Sequence, residues 1–189
     1  MPSPAIFLDR DGTLCRDAVY MIRFEDFEPL PGVDEALRRL QEAGYRLFVV
    51  TNQSGVARGM FTAEAVEALN RRIEDYFRER GVFLEDTAFC PHHPEGTVPE
   101  YAVECACRKP KPGMILDLAQ KYDLDLTRSY MVGDMLRDVE AGLAAVTRAA
   151  LIPPRENAPS LDNDGRLKEF TSLLDFANSL RGSDTSHVR

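Results

Sequence analysis

Short apolar runs alternate with amphipathic helical patterns along most of the chain. Apolar residues recur at helical spacing between the runs, and Thr62 is a suitable N-cap while Gly44 and Gly81 are suitable ends. This rhythm is typical of a parallel sheet with helical crossovers, so we expect a three-layer, doubly wound α/β fold. The predicted strands are residues 5–9, 46–51, 86–90, 129–134 and 149–152, and the predicted helices lie near residues 31–44, 62–81, 113–123, 136–145 and 172–180.

The chain has 189 residues, which suits one domain spanning residues 1–189 with a core at about 5–180. The turn-rich segment 153–165 is expected to be a surface loop, and residues 181–189 a frayed tail. No apolar run approaches the roughly 18 residues of a membrane span. The first residues lack the features of a secretory signal, so we expect a cytoplasmic protein. A net charge of −8 argues against nucleic acid as the main ligand.

The stretch AIFLDRDGT ends an apolar run on two carboxylates, Asp9 and Asp11, followed by Gly12. Like charges this close repel unless a cation binds between them or one carries a proton. Asp9, Thr51 and Asp134 each fall at the carboxyl end of a predicted strand, where open α/β sheets bind ligands. If Asp9 attacks phosphorus, a Mg²⁺ held by Asp9, Asp134 and the Asp11 carbonyl would screen the repulsion, and the Asp11 carboxyl would serve as general acid and base.

Phosphate-binding groups follow at two further places. The Thr51 hydroxyl and Asn52 are suited to donate to phosphate oxygens, and Lys109 in CRKPKPG is suited to neutralise a transferring phosphoryl group. Lys109 and four further cations lie beside these motifs: Arg10, Arg58, Arg108 and Lys111. Taken singly, each of these five cations is expected to be a solvated surface charge.

Three of the four cysteines lie between residues 90 and 107. Cys90, His92, Cys105 and Cys107 form a CxH and CxC set, which is the pattern of a closed, tetrahedral structural zinc site. His93 is an alternative to His92, and a set of buried or accidental thiols is the rival interpretation. Cys107 lies two residues before Lys109, so the zinc loop would aim the lysine.

The four motifs together resemble the haloacid dehalogenase superfamily of aspartate-nucleophile phosphatases over residues 5–152. The resemblance implies Asp9 as nucleophile and Asp11 as general acid and base, with Thr51 and Lys109 stabilising the phosphoryl group. It also implies Asp134 as the remaining Mg²⁺ ligand. Asp138 would be a carboxylate in the layer behind the ligands.

The zinc loop and TNQSG resemble the D-glycero-D-manno-heptose-1,7-bisphosphate 7-phosphatases, a branch with no large cap domain. Only about 20 residues separate DGT from the first predicted helix, which leaves no room for such a cap, and a monomer is expected. The resemblance implies a small phosphorylated sugar as substrate. The implied substrate contacts are Asp17, Tyr20, the Gln53–Ser54–Gly55 turn, Asn52 beside it and Arg108.

Two alternatives stay open. Histidinol-phosphate phosphatase is the nearest other activity, although the longer zinc loop and Ser54 favour the heptose substrate. A non-catalytic phosphosugar-binding protein would keep the same fold. The chain also departs from the resembled pattern, because Ala18 and Val19 stand where a histidine and a glycine are expected, and Met135 stands where many members have lysine.

Overall fold

The computed structural model describes residues 2–153 and 165–181, and within them six strands form one parallel sheet. The expected surface loop lies almost entirely outside the described residues, as does the tail from residue 182. The strands are β1 (Ala5–Leu8), β2 (Arg46–Asn52), β3 (Leu84–Cys90), β4 (Tyr130–Gly133), β5 (Arg148–Leu151) and β6 (Leu167–Glu169), and the helices are α1 (Val33–Glu42), α2 (Ala63–Arg78), α3 (Gly113–Tyr122), α4 (Leu136–Ala144) and α5 (Leu173–Arg181).

The strand order is β3-β2-β1-β4-β5-β6, and every neighbouring pair is parallel. The chain runs outward from β1 to β3 and then returns to place β4 on the other side of β1. The seam between β1 and β4 is therefore the point where the winding direction reverses. In open α/β sheets this point forms a crevice beyond the carboxyl ends of the strands, where ligands bind.

Alternation along the strands builds the three layers. In β1, Ile6 and Leu8 pack into a core with α1, α2 and α5, whereas Ala5 and Phe7 face a second core with α3. Both faces of β1 are fully buried, which is why its sequence is a continuous apolar run. The three-layer, doubly wound fold expected from the sequence is confirmed.

Two structural details differ from the sequence expectations. Strand β6 was not predicted, because it has three residues of which two are exposed, and its sequence LKE has no apolar run. It forms by pairing with β5 at the sheet edge. Helix α2 buries Asn70 beside its expected apolar stripe.

The connection from β1 to α1 contains a single turn of 3₁₀ helix, Phe24–Asp26, and no cap domain among the described residues. Among residues 2–153 and 165–181, no helix is both long enough and apolar enough to cross a membrane.

Candidate active site

Three acidic side chains converge at the seam between β1 and β4. Asp9 directly follows β1, and its N–H donates to the carbonyl of Val132 in β4 at 2.9 Å. Asp134 follows β4, and Asp138 lies on the first turn of α4. One carboxylate oxygen from each of the three lies within 4.8 Å of the others. These oxygens are spaced closely enough to contact a common cation, and hard divalent cations prefer such ligands.

Gly12 determines how closely the chain can approach this cluster. Its φ of +86° lies in the left-handed region that glycine tolerates. A Cβ at this position would lie 2.6 Å from a carboxylate oxygen of Asp134. Gly12 is therefore required both by its backbone conformation and by the nearness of Asp134.

Lys109 is the cation within this group, and its ammonium is almost fully buried. Nζ donates to Asp9 Oδ1 at 2.6 Å and to the Val50 carbonyl at 2.7 Å, and it lies 2.8 Å from Asp138 Oδ1. The three acceptors match the three donors of a lysine ammonium. Lys109 thus compensates the buried charges of Asp9 and Asp138, which are 4% and 0% exposed.

The pKa values reflect this burial. Burial raises the pKa of Asp9 to about 7; the positive charge of Lys109 opposes this rise, and the negative charge of Asp138 contributes to it. Burial lowers the pKa of Lys109, but the charges of Asp9 and Asp138 outweigh it and leave that pKa above its ordinary value. A divalent cation beside Asp9 would favour its ionised form, which is the form that acts as a nucleophile.

Asp138 uses both of its oxygens within the protein. Oδ1 pairs with Lys109, and Oδ2 accepts the Met135 N–H at 3.0 Å at the start of α4. A Cβ on Gly133 would lie 2.4 Å from Oδ2 of the same carboxylate. These contacts hold the Asp138 carboxylate against Lys109.

Asp11 has hydrogen-bond partners that differ from those of Asp9. Arg10 Nε and Nη2 donate to its two oxygens at 3.1 and 3.0 Å, and Gln53 Nε2 donates to Oδ2 at 2.9 Å. Gln53 Nε2 also donates to the Thr51 hydroxyl at 2.8 Å. Arg10 is therefore a buried ion-pair partner and not the solvated surface charge expected from the sequence.

Asn52 was expected to donate to a phosphate oxygen, but its carboxamide is hydrogen-bonded to the main chain of Lys109. Its Nδ2 donates to the Lys109 carbonyl at 3.0 Å, and its Oδ1 accepts the Lys109 N–H at 3.1 Å. The side chain thus binds both main-chain groups of the lysine. Asn52 connects the end of β2 to the segment that carries Lys109.

A cleft of about 330 Å³ opens over the strand ends. Of the substrate residues inferred from the sequence, it brings together Asp17, Tyr20, Asn52, Gln53 and Ser54. Gly55 and Arg108 are not among its lining residues. The full lining is Asp11, Asp17, Val19, Tyr20, Met21, Asn52, Gln53, Ser54, Asp134, Met135 and Arg137.

Gly55 and Arg108 have other surroundings. A Cβ on Gly55 would lie 2.2 Å from the Phe61 ring, so this glycine allows close packing beside the cleft. The Phe61 ring in turn meets the Tyr20 ring, with centroids 6.4 Å apart. Arg108 lines a separate depression of about 290 Å³ with His93 and Lys109.

Sequence reasoning missed Arg137, which is exposed and lines the cleft. Burial lowers the pKa of Arg108, and the positive charges of Arg137 and Arg58 lower it further. Arg137 and Arg108 are therefore close enough to repel each other. One sequence feature could have identified it. Met135 stands where a lysine is expected after Asp134, and Arg137 is a cation only two residues further on.

The second cluster consists of Cys90, His92, Cys105 and Cys107. Their ligand atoms all lie within 4.8 Å of one another. The Sγ–Sγ distances are 3.2, 3.3 and 3.6 Å, and His92 Nδ1 lies 3.4 Å from Cys107 Sγ. Ligands of tetrahedral zinc at thiolate bond lengths are about 3.8 Å apart. The cluster therefore has the donor set and the approximate size of a closed zinc site.

His93 lies outside this tetrad. Its Nδ1 accepts the Glu95 N–H at 3.1 Å, and its Nε2 lies 3.5 Å from Arg58 Nη2. Within the tetrad, the hydrogen-bond contact between the Cys107 and Cys90 sulfurs lowers the pKa of Cys107 to about 5, which favours its thiolate. A thiolate is the form that binds metal.

The chain belongs to the haloacid dehalogenase-like hydrolase family, whose profile matches residues 16–145. It is 50% identical over 142 residues to the D-glycero-beta-D-manno-heptose-1,7-bisphosphate 7-phosphatase of Rhodopseudomonas palustris, covering 75% of this chain and 79% of that protein. The enzyme of the same name from Yersinia pestis is 49% identical over 142 residues, covering 75% and 76%.

A solved structure gives the same relationship. The D,D-heptose 1,7-bisphosphate phosphatase of B. bronchiseptica, crystallised with magnesium and phosphate, is similar to this chain with a TM-score of 0.79 and 32% identity. The similarity covers 95% of this chain and 98% of that one. The sequence-based assignment to the haloacid dehalogenase superfamily is confirmed.

Proposed function

We propose that this protein is a Mg²⁺-dependent phosphomonoesterase that removes the 7-phosphate of D-glycero-D-manno-heptose 1,7-bisphosphate. The observation that carries the proposal is the buried Asp9 carboxylate at the β1/β4 seam, bonded to Lys109 and within 4.8 Å of Asp134 and Asp138. A nucleophilic carboxylate, a fixed cation and a set of oxygen ligands are the groups that phosphoryl transfer to aspartate requires.

The metal assignment rests on the donor atoms. Asp9, Asp134 and the Asp11 carbonyl would hold the ion, and all of these donors are oxygens, as Mg²⁺ prefers. When bound, the ion would neutralise charge between the nucleophile and the phosphate and would keep Asp9 ionised. Lys109 would add a fixed positive charge on the same side of the reacting phosphoryl group.

The proposed reaction has two displacements. In the first, an Asp9 oxygen bonds to phosphorus, the bond from phosphorus to the ester oxygen breaks, and Asp11 gives its proton to that leaving oxygen. In the second, a water oxygen attacks the aspartyl-phosphate while Asp11 takes up one of its protons, and Asp9 leaves with the bonding pair. The products are the alcohol and inorganic phosphate, and both aspartates return to their initial states.

The cleft supports a substrate with a second anionic group. Arg137 lines it, Arg108 lines a separate depression, and the positive charge of Arg137 lowers the pKa of Arg108. A ligand with two phosphate groups would place one at Asp9 and the other near these guanidinium groups, which would relieve their repulsion. The names of the relatives at 49–50% identity support the heptose bisphosphate as that ligand.

We further propose that the Cys90, His92, Cys105 and Cys107 set holds structural Zn²⁺, because four protein ligands leave no position for a reacting water. The loop that these ligands close leads directly to Lys109. A cytoplasmic, monomeric protein that does not bind nucleic acid remains a prediction from the sequence.

A phosphate-release assay with Mg²⁺ tests the proposal. The heptose 1,7-bisphosphate should be hydrolysed with a kcat/KM at least about tenfold above that of histidinol phosphate, because only the bisphosphate carries a second phosphate for the arginines. Preference for histidinol phosphate would favour that alternative. Binding of the bisphosphate without any phosphate release would favour the non-catalytic protein.

A further inference from the structure

Arg10 is a buried arginine whose guanidinium is hydrogen-bonded to Asp11 and to Asn70. Its side chain is 2% exposed, whereas that of Asp11 is 22% exposed and lines the cleft. The guanidinium therefore lies behind the Asp11 carboxylate as seen from the cleft. It reaches both carboxylate oxygens, through Nε and Nη2 at 3.1 and 3.0 Å.

The third arm of the guanidinium is fixed from another element. Nη1 donates at 2.9 Å to Oδ1 of Asn70, which is buried on α2. Asn70 interrupts a helix face that is otherwise apolar, with Leu69 and Ile73 beside it in the core. Burial of a polar side chain is costly unless it is hydrogen-bonded, and Arg10 provides a bond to Oδ1, while the buried Nδ2 has no hydrogen-bond partner among the described residues.

The two neighbouring acids thus have different cations. Lys109 binds Asp9, and Arg10 binds Asp11 in the two-point geometry that only arginine offers. Gln53 completes the arrangement, because its Nε2 connects Asp11 with the buried Thr51 hydroxyl. The carboxylate of Asp11 is consequently held from α2, from its own strand end and from the end of β2.

We propose that Arg10, anchored by Asn70, is a positioning residue that fixes the Asp11 carboxylate toward the leaving oxygen of the ester. This inference rests on the proposed role of Asp11 as general acid and base. Arg10 is buried and is not among the residues that line the cleft, so its effect on the rate is assigned to Asp11.

The test compares an alkyl ester with an aryl ester. The sugar phosphate needs protonation of its leaving oxygen, whereas p-nitrophenyl phosphate releases a stable phenolate. The ratio kcat/KM reports the step in which the leaving group departs. We expect Arg10→Gln to lower kcat/KM for the sugar phosphate by about 10²-fold, within the range of general acid catalysis, and for p-nitrophenyl phosphate by less than about fivefold.

A double-mutant cycle shows whether Arg10 acts through Asp11. Once Asp11→Asn is present, adding Arg10→Gln should lower kcat/KM by less than about threefold further, since residues in one unit are not additive. Additive losses, or equal losses on both esters from Arg10→Gln, would overturn the inference. If Asp11→Asn itself spares the sugar phosphate, the proposed role of Asp11 fails, and the inference fails with it.

Substitution of Asn70, which anchors Arg10, provides a second test that leaves both members of the Arg10–Asp11 ion pair in place. Asn70→Asp keeps an acceptor for Arg10 and should retain the wild-type preference between the two esters, while Asn70→Leu should reproduce the selective loss on the sugar phosphate. Arg71→Gln is the matched control on α2, because Arg71 is exposed and pairs only loosely with Glu67 at 3.7 Å. Equal behaviour of Asn70→Asp and Asn70→Leu would contradict the anchoring role even if Arg10→Gln fails to fold.

Discussion

Two clusters of side chains could each hold a metal ion, and they differ in how they are closed. The carboxylates of Asp9, Asp134 and Asp138 lie beside the buried Lys109, and Asp134 borders an open cleft. The Cys90, His92, Cys105 and Cys107 set brings four possible ligand atoms within 4.8 Å of one another. A site that leaves positions for substrate can react, whereas a site filled by protein ligands can only hold the chain.

The two clusters meet at Lys109. The cysteine cluster ends at Cys107, and Lys109 is bonded by Asn52 through its main chain and by Asp9 through its side chain. The difference between the clusters can therefore be measured. Substitution of the nucleophilic carboxylate should abolish turnover and leave the fold unchanged, whereas disruption of the cysteine cluster should lower stability and activity together.

The largest expected effect is that of Asp9→Asn. The amide has the size of the carboxylate but cannot form the phosphoryl ester, so turnover should fall by at least about 10⁴-fold. Phosphate release measures the loss, and circular dichroism should show an unchanged fold. Asp26→Asn is the control, because Asp26 is exposed and pairs only with Arg23. Unchanged turnover of Asp9→Asn would remove the covalent mechanism.

Lys109→Met should lower turnover by about 10²- to 10³-fold, comparable to the loss of one charge-stabilising group. It should also destabilise the fold by about 3–5 kcal/mol, since the buried Asp9 and Asp138 lose their shared cation. Urea unfolding measures the second effect. Lys111→Met is the matched control, with an exposed lysine two residues away and an expected change below about 0.5 kcal/mol. Equal unfolding midpoints for the two variants would contradict the compensating role of Lys109.

The sequence predicted those site residues whose positions are marked by a local sequence pattern. Asp9, Thr51 and Asp134 lie at the ends of apolar runs, and parallel strands bring such ends to one edge. The cysteine set has a spacing that is informative by itself. Each of these features can be recognised within a few residues of sequence.

Other features depend on contacts that no local pattern encodes. Asn52 looked like a phosphate donor because it follows Thr51, but its partner is the main chain of Lys109, 57 residues away. Asn70 looked like an ordinary position on α2, although it binds Arg10 60 residues away. Strand β6 exists only because β5 offers an edge. These positions are determined by tertiary packing.

Removal of the proposed Zn²⁺ from the cysteine cluster should have an intermediate effect on activity and stability. After chelation and return of Mg²⁺ alone, activity should stay about 10- to 100-fold low, and the melting temperature should fall by about 5 °C or more. Addition of Zn²⁺ should restore both. Full recovery with Mg²⁺ alone would show that the cysteine cluster does not support Lys109.

The smallest expected effect is that of Asn52→Ala. It removes two hydrogen bonds to the Lys109 main chain. At about 0.7 kcal/mol each their loss corresponds to about tenfold, and kcat should fall by that factor. The control is Ser54→Ala, which alters the cleft lining without touching Lys109; its effect should appear in KM. A larger change in KM than in kcat for Asn52→Ala would indicate a direct substrate contact instead.

The most direct test of the central claim is mass spectrometry of the protein quenched in acid during turnover of the sugar bisphosphate. We predict a phosphate adduct on the peptide that contains Asp9, present with Mg²⁺ and absent from Asp9→Asn. Rapid turnover with no adduct on that peptide, or an adduct on another residue, would contradict the account.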